Sequence, residues 1–257
     1  MTRLLSLAAG VHPTLPPAEM VTVAAQADWP ACGVWFDAAT WTDATTTEVR
    51  RRLDDTGLVA LDLEPIIPAP DTPDHGERLL EAAAGIGARF VLFTSRLPDL
   101  SATAARFAEL CSVAAPLGVH LVCEFLPIFP LRSLAMAAQV VEPHDPSVAG
   151  ILIDNLHLSR SGGTVAEVAT LNPARLPYLQ IADAPAPAPT EPMALLDEAI
   201  NGRLLPWEGA LPIDELLAAV PHVPLSFEVR SRALRDGFTD PVDRARHLLS
   251  AVRRRTR

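Results

Sequence analysis

Four polar side chains stand at the ends of otherwise apolar runs in the second half of the sequence. Glu124 lies in "LVCEFLP", Asp154 ends "ILIDN", Gln180 lies in "YLQIAD" and Glu228 lies in "PLSFEV". An isolated buried carboxylate is very costly, so each acid must be hydrogen-bonded, paired with a base or bound to a metal. Carboxylate and amide oxygens are hard ligands that suit Mg²⁺, Mn²⁺ or a similar divalent cation. If the four residues converge, they predict a metal site.

Ion pairing with arginine is the competing explanation for each acid taken alone. Three acids crowded together without a cation would repel each other, and at least one would have to keep its proton. Four oxygen-bearing side chains at matched strand ends therefore favour the metal hypothesis over separate ion pairs. The deciding question is whether the fold brings those strand ends together.

The elements that carry these residues are short apolar runs alternating with segments of helical periodicity. Eight runs are predicted as strands: 4–10, 32–37, 58–64, 89–95, 119–125, 150–155, 177–183 and 223–229. They recur at roughly 30-residue intervals, the size of one βα unit, and their continuous apolar character indicates a parallel sheet covered on both faces. No glycine-rich dinucleotide-binding turn follows any strand. We therefore predict an α/β fold, a single-domain (β/α)8 TIM barrel over residues 1–257, whose strand ends meet at the mouth.

Helices are predicted between the strands, several of them closed by a glycine. Their approximate spans are 16–28, 44–56, 75–87, 101–117, 131–142, 164–172, 213–220 and 240–255. Gly57, Gly87 and Gly118 stand where C-terminal caps are expected, each just before a strand. The proline-rich "DAPAPAPTEP" (183–192) predicts a stiff, extended loop beside the mouth, with a partial lid as the alternative to an inert surface loop.

The charge and the basic residues exclude several classes of function. The chain has 31 acids and 21 bases, a formal charge of −10, so nucleic acid and anionic membranes are not expected as partners. All 21 bases are arginine, which excludes Schiff-base chemistry, pyridoxal phosphate attachment and a P-loop lysine. Charge that develops on a substrate oxygen must then be stabilised by a metal or by arginine.

Features that would indicate export or membrane insertion are missing from the sequence. The first apolar run is too short for a convincing signal peptide, and no run approaches the ~20 residues needed to cross a bilayer. Cys32, Cys111 and Cys123 are few and far apart, so neither a disulfide framework nor a zinc cluster is indicated. We predict a reduced, cytoplasmic protein.

The late strand ends resemble those of the xylose isomerase-like TIM barrel superfamily, in its sugar phosphate isomerase/epimerase branch. In that family a Glu, an Asp, a His or Gln and a second Glu hold the metal. The resemblance implies that Glu124, Asp154, Gln180 and Glu228 bind one divalent ion, Mn²⁺, Mg²⁺ or Co²⁺. It also implies that Glu124 and Glu228 are the catalytic pair, one on each face of the substrate. Gln at the third position is similar to hydroxypyruvate isomerases and 3-dehydroshikimate dehydratases.

Two further motifs of the resemblance supply predicted substrate contacts. The family pattern D-x-x-H-x-x-R appears in "DNLHLSR", and "GRLLPWEGALPIDELL" resembles the stretch R-x-x-P-G-x-G, with Trp207 where a glycine is usual. The predicted substrate-binding residues are His157, Arg160, Asp183, Arg203, Arg230 and Glu64. Trp35 and Asp37, at the end of the second strand, are predicted to line the far wall of the pocket.

The resemblance implies an isomerase or epimerase of carbohydrate metabolism that acts on a small sugar, keto-sugar or hydroxy-keto acid through an enediolate. Its small-molecule substrate would be polyhydroxylated or anionic, and a homodimer is the family-level expectation. A metal-dependent dehydratase of 3-dehydroshikimate or keto-sugar type is the main alternative, because both reactions begin with the same enolate. A barrel that binds a ligand without turnover is the third hypothesis.

Overall fold

A computed structural model describes residues 3–255 of the protein, so the first two and last two residues of the predicted domain lie outside the described part. The strands are β1 (Leu5–Leu7), β2 (Ala31–Trp35), β3 (Val59–Ile66), β4 (Phe90–Phe93), β5 (His120–Cys123), β6 (Ala149–Ile151), β7 (Ile153–Asp154), β8 (Leu179–Ile181) and β9 (Leu225–Phe227). Every pairing is parallel. The strand order is β6-β5-β4-β3-β2-β1-β9-β8-β7.

The sheet closes into a barrel at a single interrupted strand. β6 and β7 stand at opposite ends of the strand order, yet only Leu152 separates them along the chain. Together they are the sixth of the eight predicted strands. The prediction of a TIM barrel is confirmed, and the carboxyl ends of all its strands lie at one mouth.

Helices cover the outside of the barrel. They are α1 (Pro17–Gln26), α2 (Asp43–Thr56), α3 (Gly76–Ile86), α4 (Leu100–Leu117), α5 (Leu134–Val141), α6 (Asn155–Arg160), α7 (Val165–Ala169), α8 (Pro192–Asn201), α9 (Ile213–Ala219), α10 (Arg232–Gly237) and α11 (Pro241–Arg253). Gly57, Gly87 and Gly118 have φ angles of 70°, 74° and 68° and end α2, α3 and α4 as predicted. No helix within residues 3–255 is long and apolar enough to cross a membrane.

Helices α6, α8 and α10 were not among the predicted helices. α6 and α10 have six residues each, which is too short for a 3.6-residue repeat to be visible in the sequence. α8 begins at Pro192, a residue that suits the first helical position, immediately after the proline-rich segment. Residues 184–191 form neither helix nor strand, in agreement with the predicted extended loop.

Inside the barrel, an apolar layer lies beneath a row of polar side chains. The layer consists of Ala31, Leu61, Leu92, Val122, Leu152 and Tyr178. Residues two positions further along a strand point to the same face and lie one level nearer the mouth. Asp154 pairs with Gln180, Gln180 with Ser226, and Ser226 with Ser6. The register thus places two of the predicted ligands side by side.

Candidate active site at the barrel mouth

The late strand ends surround one cavity of about 280 Å³. Glu124 and Glu228 directly follow β5 and β9, Gln180 lies within β8, and all three line the cavity. Asp154, at the end of β7, is 1% exposed and lies behind this lining. The structure therefore brings the four predicted ligands to one side of the mouth, as the strand order requires.

Asp154 has a structural task in addition to any chemical one. Its Oδ1 accepts hydrogen bonds from the backbone N–H groups of Leu156 (2.8 Å) and His157 (3.1 Å). These bonds cap α6, which begins at the next residue, and so explain why a buried strand ends on an acid. The first turn of α6 then places His157 beside Glu124, with His157 Nε2 4.0 Å from Glu124 Oε1.

Arg203 lies at the centre of the site. It is 2% exposed, and its Nη1 donates to Asp154 Oδ2 at 2.6 Å. Its Nη2 forms an ion pair with Glu228 Oε2 at 3.0 Å and lies 3.4 Å from His157 Nε2. A guanidinium that joins two buried carboxylates compensates part of the cost of burying them. Gly10 makes room for Glu228, because a Cβ at this position would lie 2.5 Å from Glu228 Oε1.

Asp183 holds the chain segment that follows Arg203. Its Oδ1 accepts from the backbone N–H of Leu211 (3.0 Å) and its Oδ2 from that of Gly209 (2.9 Å). Gly209 cannot be replaced without a shift, since a Cβ there would lie 2.4 Å from the carbonyl oxygen of Ala184. Trp207 has a φ of 68°, a conformation that favours the glycine usual at this position, and its Nε1 donates to Asp214. The Asp183 carboxylate is therefore engaged by backbone outside the cavity lining.

Arg160 also lies outside the cavity lining. Its guanidinium forms a double hydrogen bond with Glu198 of α8, with both N···O distances 2.8 Å, and donates to the carbonyl oxygen of Pro185. The side chains of this pair are only 6% and 7% exposed. Arg160 thus joins α6 to α8 and to the proline-rich loop, and the structure does not bring it into the cavity.

The rest of the cavity lining combines apolar and polar side chains and includes three further predicted residues. Glu64 lines the cavity from β3, and Trp35 lines it from the end of β2. Arg230 also lines the cavity, and its guanidinium carbon lies 6.0 Å from the centre of the Trp35 ring. Asp37 lines a neighbouring groove instead of this cavity.

Sequence reasoning did not identify the apolar lining. It comes from the loop after β5 and from one face of α8: Leu126, Ile128, Phe129, Leu196, Ala199 and Ile200. The signal was present in "FLPIFP" (125–130), because large apolar side chains in a loop at the mouth have no outer helix to pack against. The α8 face had no signal of its own, since the helix itself was not predicted.

A buried pair beneath the cavity also escaped the sequence analysis. The Tyr178 hydroxyl donates to Asp62 Oδ2 at 2.9 Å, and both residues are 0% exposed. Within residues 3–255, Asp62 Oδ1 has no hydrogen-bond partner. Burial raises the pKa of Asp62 to about 7, while the hydrogen bond from Tyr178 opposes that rise.

The acids around the cavity hold protons more tightly than isolated acids do. Burial raises the pKa of Glu124 well above its usual value, and nearby carboxylates add to the effect. Burial also raises the pKa of Glu228, although Arg203 opposes it. The pKa of Glu64 rises well above its usual value for the same two reasons as that of Glu124. The lining contains three glutamates and three arginines, Arg96, Arg203 and Arg230, so burial is the main cause of the raised pKa of each glutamate.

Asp154 and His157 are shifted in the opposite direction. Burial alone would raise the pKa of Asp154, but the charge of Arg203 and the hydrogen bonds from Arg203 and from the His157 backbone hold it below its ordinary value. Burial lowers the pKa of His157 to about 4. At neutral pH, Asp154 is an anion and His157 is a neutral imidazole, which is the protonation state that a metal ligand needs.

The residues present fit a divalent cation. One ligand atom from each of Glu124, Asp154 and His157 lies within 4.8 Å of the others. Within the described chain, neither polar atom of the buried Gln180 side chain has a hydrogen-bond partner. Oxygen donors with one imidazole suit Mn²⁺, Co²⁺ or Zn²⁺. Arg203 already bonds Asp154 Oδ2, so a cation bound through that oxygen would displace this hydrogen bond.

Comparisons with known proteins agree with the fold. A family model described as "Xylose isomerase-like TIM barrel" matches residues 19–254. A comparison of the sequence with curated proteins finds no match.

Three solved structures of similar fold are 12% to 19% identical in sequence to this chain. A xylose isomerase-like TIM barrel/4-hydroxyphenylpyruvate dioxygenase fusion protein has a TM-score of 0.81 at 19% identity; the alignment covers 98% of this chain and 42% of the fusion protein. The IolI protein with a bound zinc atom has a TM-score of 0.82 at 14% identity, with 98% and 96% covered. D-psicose 3-epimerase with D-tagatose, from Clostridium cellulolyticum H10, has a TM-score of 0.72 at 12% identity, with 98% of each chain covered.

Proposed function

Because the chain belongs to the xylose isomerase-like TIM barrel family, we propose that it is a divalent-metal-dependent isomerase or epimerase. The substrate we propose is a small sugar, keto-sugar or hydroxy-keto acid. One observation carries the proposal: Glu124 and Glu228, both with raised pKa, line one cavity next to a cluster of cation-binding atoms. The sugar-bound D-psicose 3-epimerase of the same fold supports it.

The two glutamates are proposed as the proton-transfer groups. A carboxylate within hydrogen-bond reach removes a proton next to the substrate carbonyl, and a carboxyl group on the other face returns it. A raised pKa suits both tasks, because the same group must exist in both protonation states during the reaction. A divalent cation held by Glu124, Asp154 and His157, with Gln180 and Glu228 beside them, would supply positive charge that favours the enediolate.

Substrate binding is assigned to the polar side chains that remain in the lining. Arg230 and Arg203 donate to substrate oxygens or to an anionic group, since a guanidinium matches such oxygens in pairs. Glu64 contacts a hydroxyl group, whereas His157, predicted from the sequence as a substrate contact, is proposed to hold the cation instead. Asp183 and Arg160 act on the substrate indirectly, by holding the 203–211 segment and α8 in place.

A dehydratase is the second candidate, and Gln180 is the observation that favours it. Gln at this position resembles the 3-dehydroshikimate dehydratases, and the first step, proton removal next to a ketone, needs the same residues. Loss of a β-hydroxyl would then give a conjugated enone. The product, and not the site, separates the two reactions.

The test is a screen for proton transfer in D₂O. The protein, with Mn²⁺, Mg²⁺ or Co²⁺, is incubated with ketoses, hydroxy-keto acids and 3-dehydroshikimate, and nuclear magnetic resonance follows deuterium next to the carbonyl. We expect deuterium incorporation without loss of water, and none with Glu124→Gln. Ultraviolet absorbance from an enone would indicate the dehydratase. Neither signal on any substrate would leave the non-catalytic binding barrel as the better account.

A further inference from the structure

A second depression adjoins the cavity on the side of the early strands. This groove of about 690 Å³ lies between the loop that follows β1 and the loop that follows β2, and it continues between the first turns of α1 and α2. Both loops leave carboxyl ends of strands, so the groove opens at the same face of the barrel as the cavity.

Trp35 joins the two spaces. Its side chain lines the cavity and the groove, and it is partly exposed. Arg230, a proposed substrate contact, lies against the Trp35 ring from the cavity side. A ligand anchored by Arg230 can therefore reach the groove by passing one aromatic side chain.

The chemistry of the groove favours a neutral ring. Its walls combine Pro13, Pro16 and Pro17 with Trp35 and Trp41. Proline and tryptophan offer flat, rigid apolar surfaces that bind ring faces at little cost in conformational entropy. Hydroxyl groups of three threonines, Thr14, Thr40 and Thr45, stand between these surfaces.

The charged residues of the groove disfavour an anionic ligand. Among the described residues that line it, none is basic, and the two acids are Asp37 and Glu48. Glu48 is held by Arg51 and Arg52, and Asp37 accepts from Thr40 Oγ1. A phosphate or carboxylate placed here would meet two acids without a cation among the lining residues.

We propose that the groove is a second substrate subsite, which binds a neutral ring linked to the reacting unit. This inference rests on the proposed function and narrows its substrate class to glycosides of a keto-sugar. The keto-sugar, whose ring ketone permits proton removal, lies in the cavity while an aryl or second sugar ring lies in the groove. The volumes agree with this division, because about 280 Å³ holds one small unit and the groove provides separate space for another.

The test compares the binding of three neutral probes by calorimetry. Methyl β-D-glucopyranoside occupies the cavity alone, whereas phenyl β-D-glucopyranoside and cellobiose add an aryl or a sugar ring. We expect at least one two-ring probe to bind about tenfold more tightly than the methyl glycoside, as burial of one ring allows. Ala44→Trp and Ala18→Trp, which fill the groove from opposite walls, should remove this gain and leave methyl glycoside binding unchanged.

Ala102→Trp is the matched control, since Ala102 is exposed in the first turn of α4 and lines neither space. This variant should bind the two-ring probe about tenfold more tightly than the methyl glycoside, as the natural protein does. Equal binding of all three probes, no binding of any, or a gain that survives both groove-filling variants would overturn the subsite. A gain that is lost in those variants, from a protein that never binds metal, would support the subsite and contradict the proposed function alone.

Discussion

The two sides of the barrel mouth differ in chemistry although they belong to one closed sheet. The late side of the mouth, formed by strands β5–β9 and the residues that follow them, carries buried charge. It consists of the acids Glu124, Asp154 and Glu228, with Arg203 among them. The early side, formed by strands β1–β4 and the residues that follow them, presents mainly apolar side chains to the same cavity: Trp35, Pro65, Ile67 and Leu92, with the polar Thr94 and Arg96 after β4. Glu64 is the one acid on the early side of the lining, and within residues 3–255 its Oε1 has no partner.

This difference indicates that the late side carries out the reaction and that the early side recognises the substrate. Buried charges must be held by partners, so the late side is joined by hydrogen bonds that run from Asp154 through Arg203 to Glu228. Apolar walls need no such partners and can change shape without leaving a charge unpaired. The late side therefore suits a fixed proton-transfer step, and the early side suits recognition of a particular substrate.

The largest expected effect comes from removing a late-side acid. Glu124→Gln should lower turnover of the substrate found in the deuterium screen by about 10³-fold, because the proton-transfer group is lost. Glu64→Gln, its matched early-side control, should cost about tenfold or less by the same reasoning. Steady-state rates of the two variants measure the contrast, and equal losses would remove the proposed division between the sides.

The second prediction concerns Arg203. Arg203→Gln leaves Asp154 and Glu228 without their shared cation, so the metal-free protein should lose about 3 kcal/mol of unfolding free energy. Added Mn²⁺ should restore much of this loss, since a cation at the late side replaces the missing charge. Urea unfolding with and without Mn²⁺ measures both effects.

Arg106→Gln provides the control for that experiment. Arg106 pairs with Asp74, Glu77 and Glu109, and none of these residues lines the cavity or the groove. Its loss should not respond to Mn²⁺. If Mn²⁺ rescued both variants equally, the effect would be non-specific and the late side would not be the cation site.

The third prediction uses Asp62, which comes from an early strand and bonds Tyr178, the residue before β8. Its pKa rises from 3.8 to about 7 on burial, so the folded protein keeps a proton that the unfolded chain has lost. The folded state is therefore destabilised as pH rises from about 4 to about 7. Asp62→Asn should remove the share of this dependence that Asp62 contributes and be more stable than the natural protein at pH 7 by about 2 kcal/mol.

Urea unfolding at a series of pH values from 4 to 8 measures this difference. Asp236→Asn, an exposed replacement on α10, controls for the loss of one formal charge. A stability difference between Asp62→Asn and the natural protein that stays constant over the whole series would contradict a buried, proton-holding carboxyl.

The smallest expected effect tests whether Arg160 acts as a support. Arg160→Gln and Glu198→Gln should each destabilise the protein, and the double variant should lose less than the sum by about 1 kcal/mol, because the buried pair is removed together. Both single variants should raise KM by a similar factor, since α8 carries part of the cavity lining. A loss of kcat in Arg160→Gln alone would instead point to direct contact with substrate.

The fold could be predicted from the sequence because its signals are local and repeated. Each predicted strand lies in a largely apolar run, and Gly57, Gly87 and Gly118 end the preceding helices at left-handed positions. The convergence of Glu124, Asp154, Gln180 and Glu228 then follows from the barrel itself, because parallel strands end at one mouth. The position of Trp35 in the cavity lining could be predicted in the same way, because Trp35 is the last residue of β2.

The contacts that could not be predicted from the sequence are those made by long side chains between segments that are distant in the chain. The sequence placed Arg203 in a loop and gave no indication that its guanidinium would lie between two buried acids. The reach of Arg160 to Glu198 depends on α8, a helix of ten residues that the periodicity did not reveal. The groove depends on the packing of two loops from different βα units, and no single segment encodes it.

The metal content of the purified protein tests the central claim most directly. The natural protein, reconstituted with Mn²⁺, Mg²⁺ or Co²⁺ and then desalted, is compared with the double variant Glu124→Gln/Glu228→Gln by elemental analysis. We predict about one divalent ion per chain in the natural protein, bound by hard oxygen ligands, and none in the variant. A natural protein that retains no ion under any of these conditions would contradict a metal-dependent late side and favour the binding-protein account.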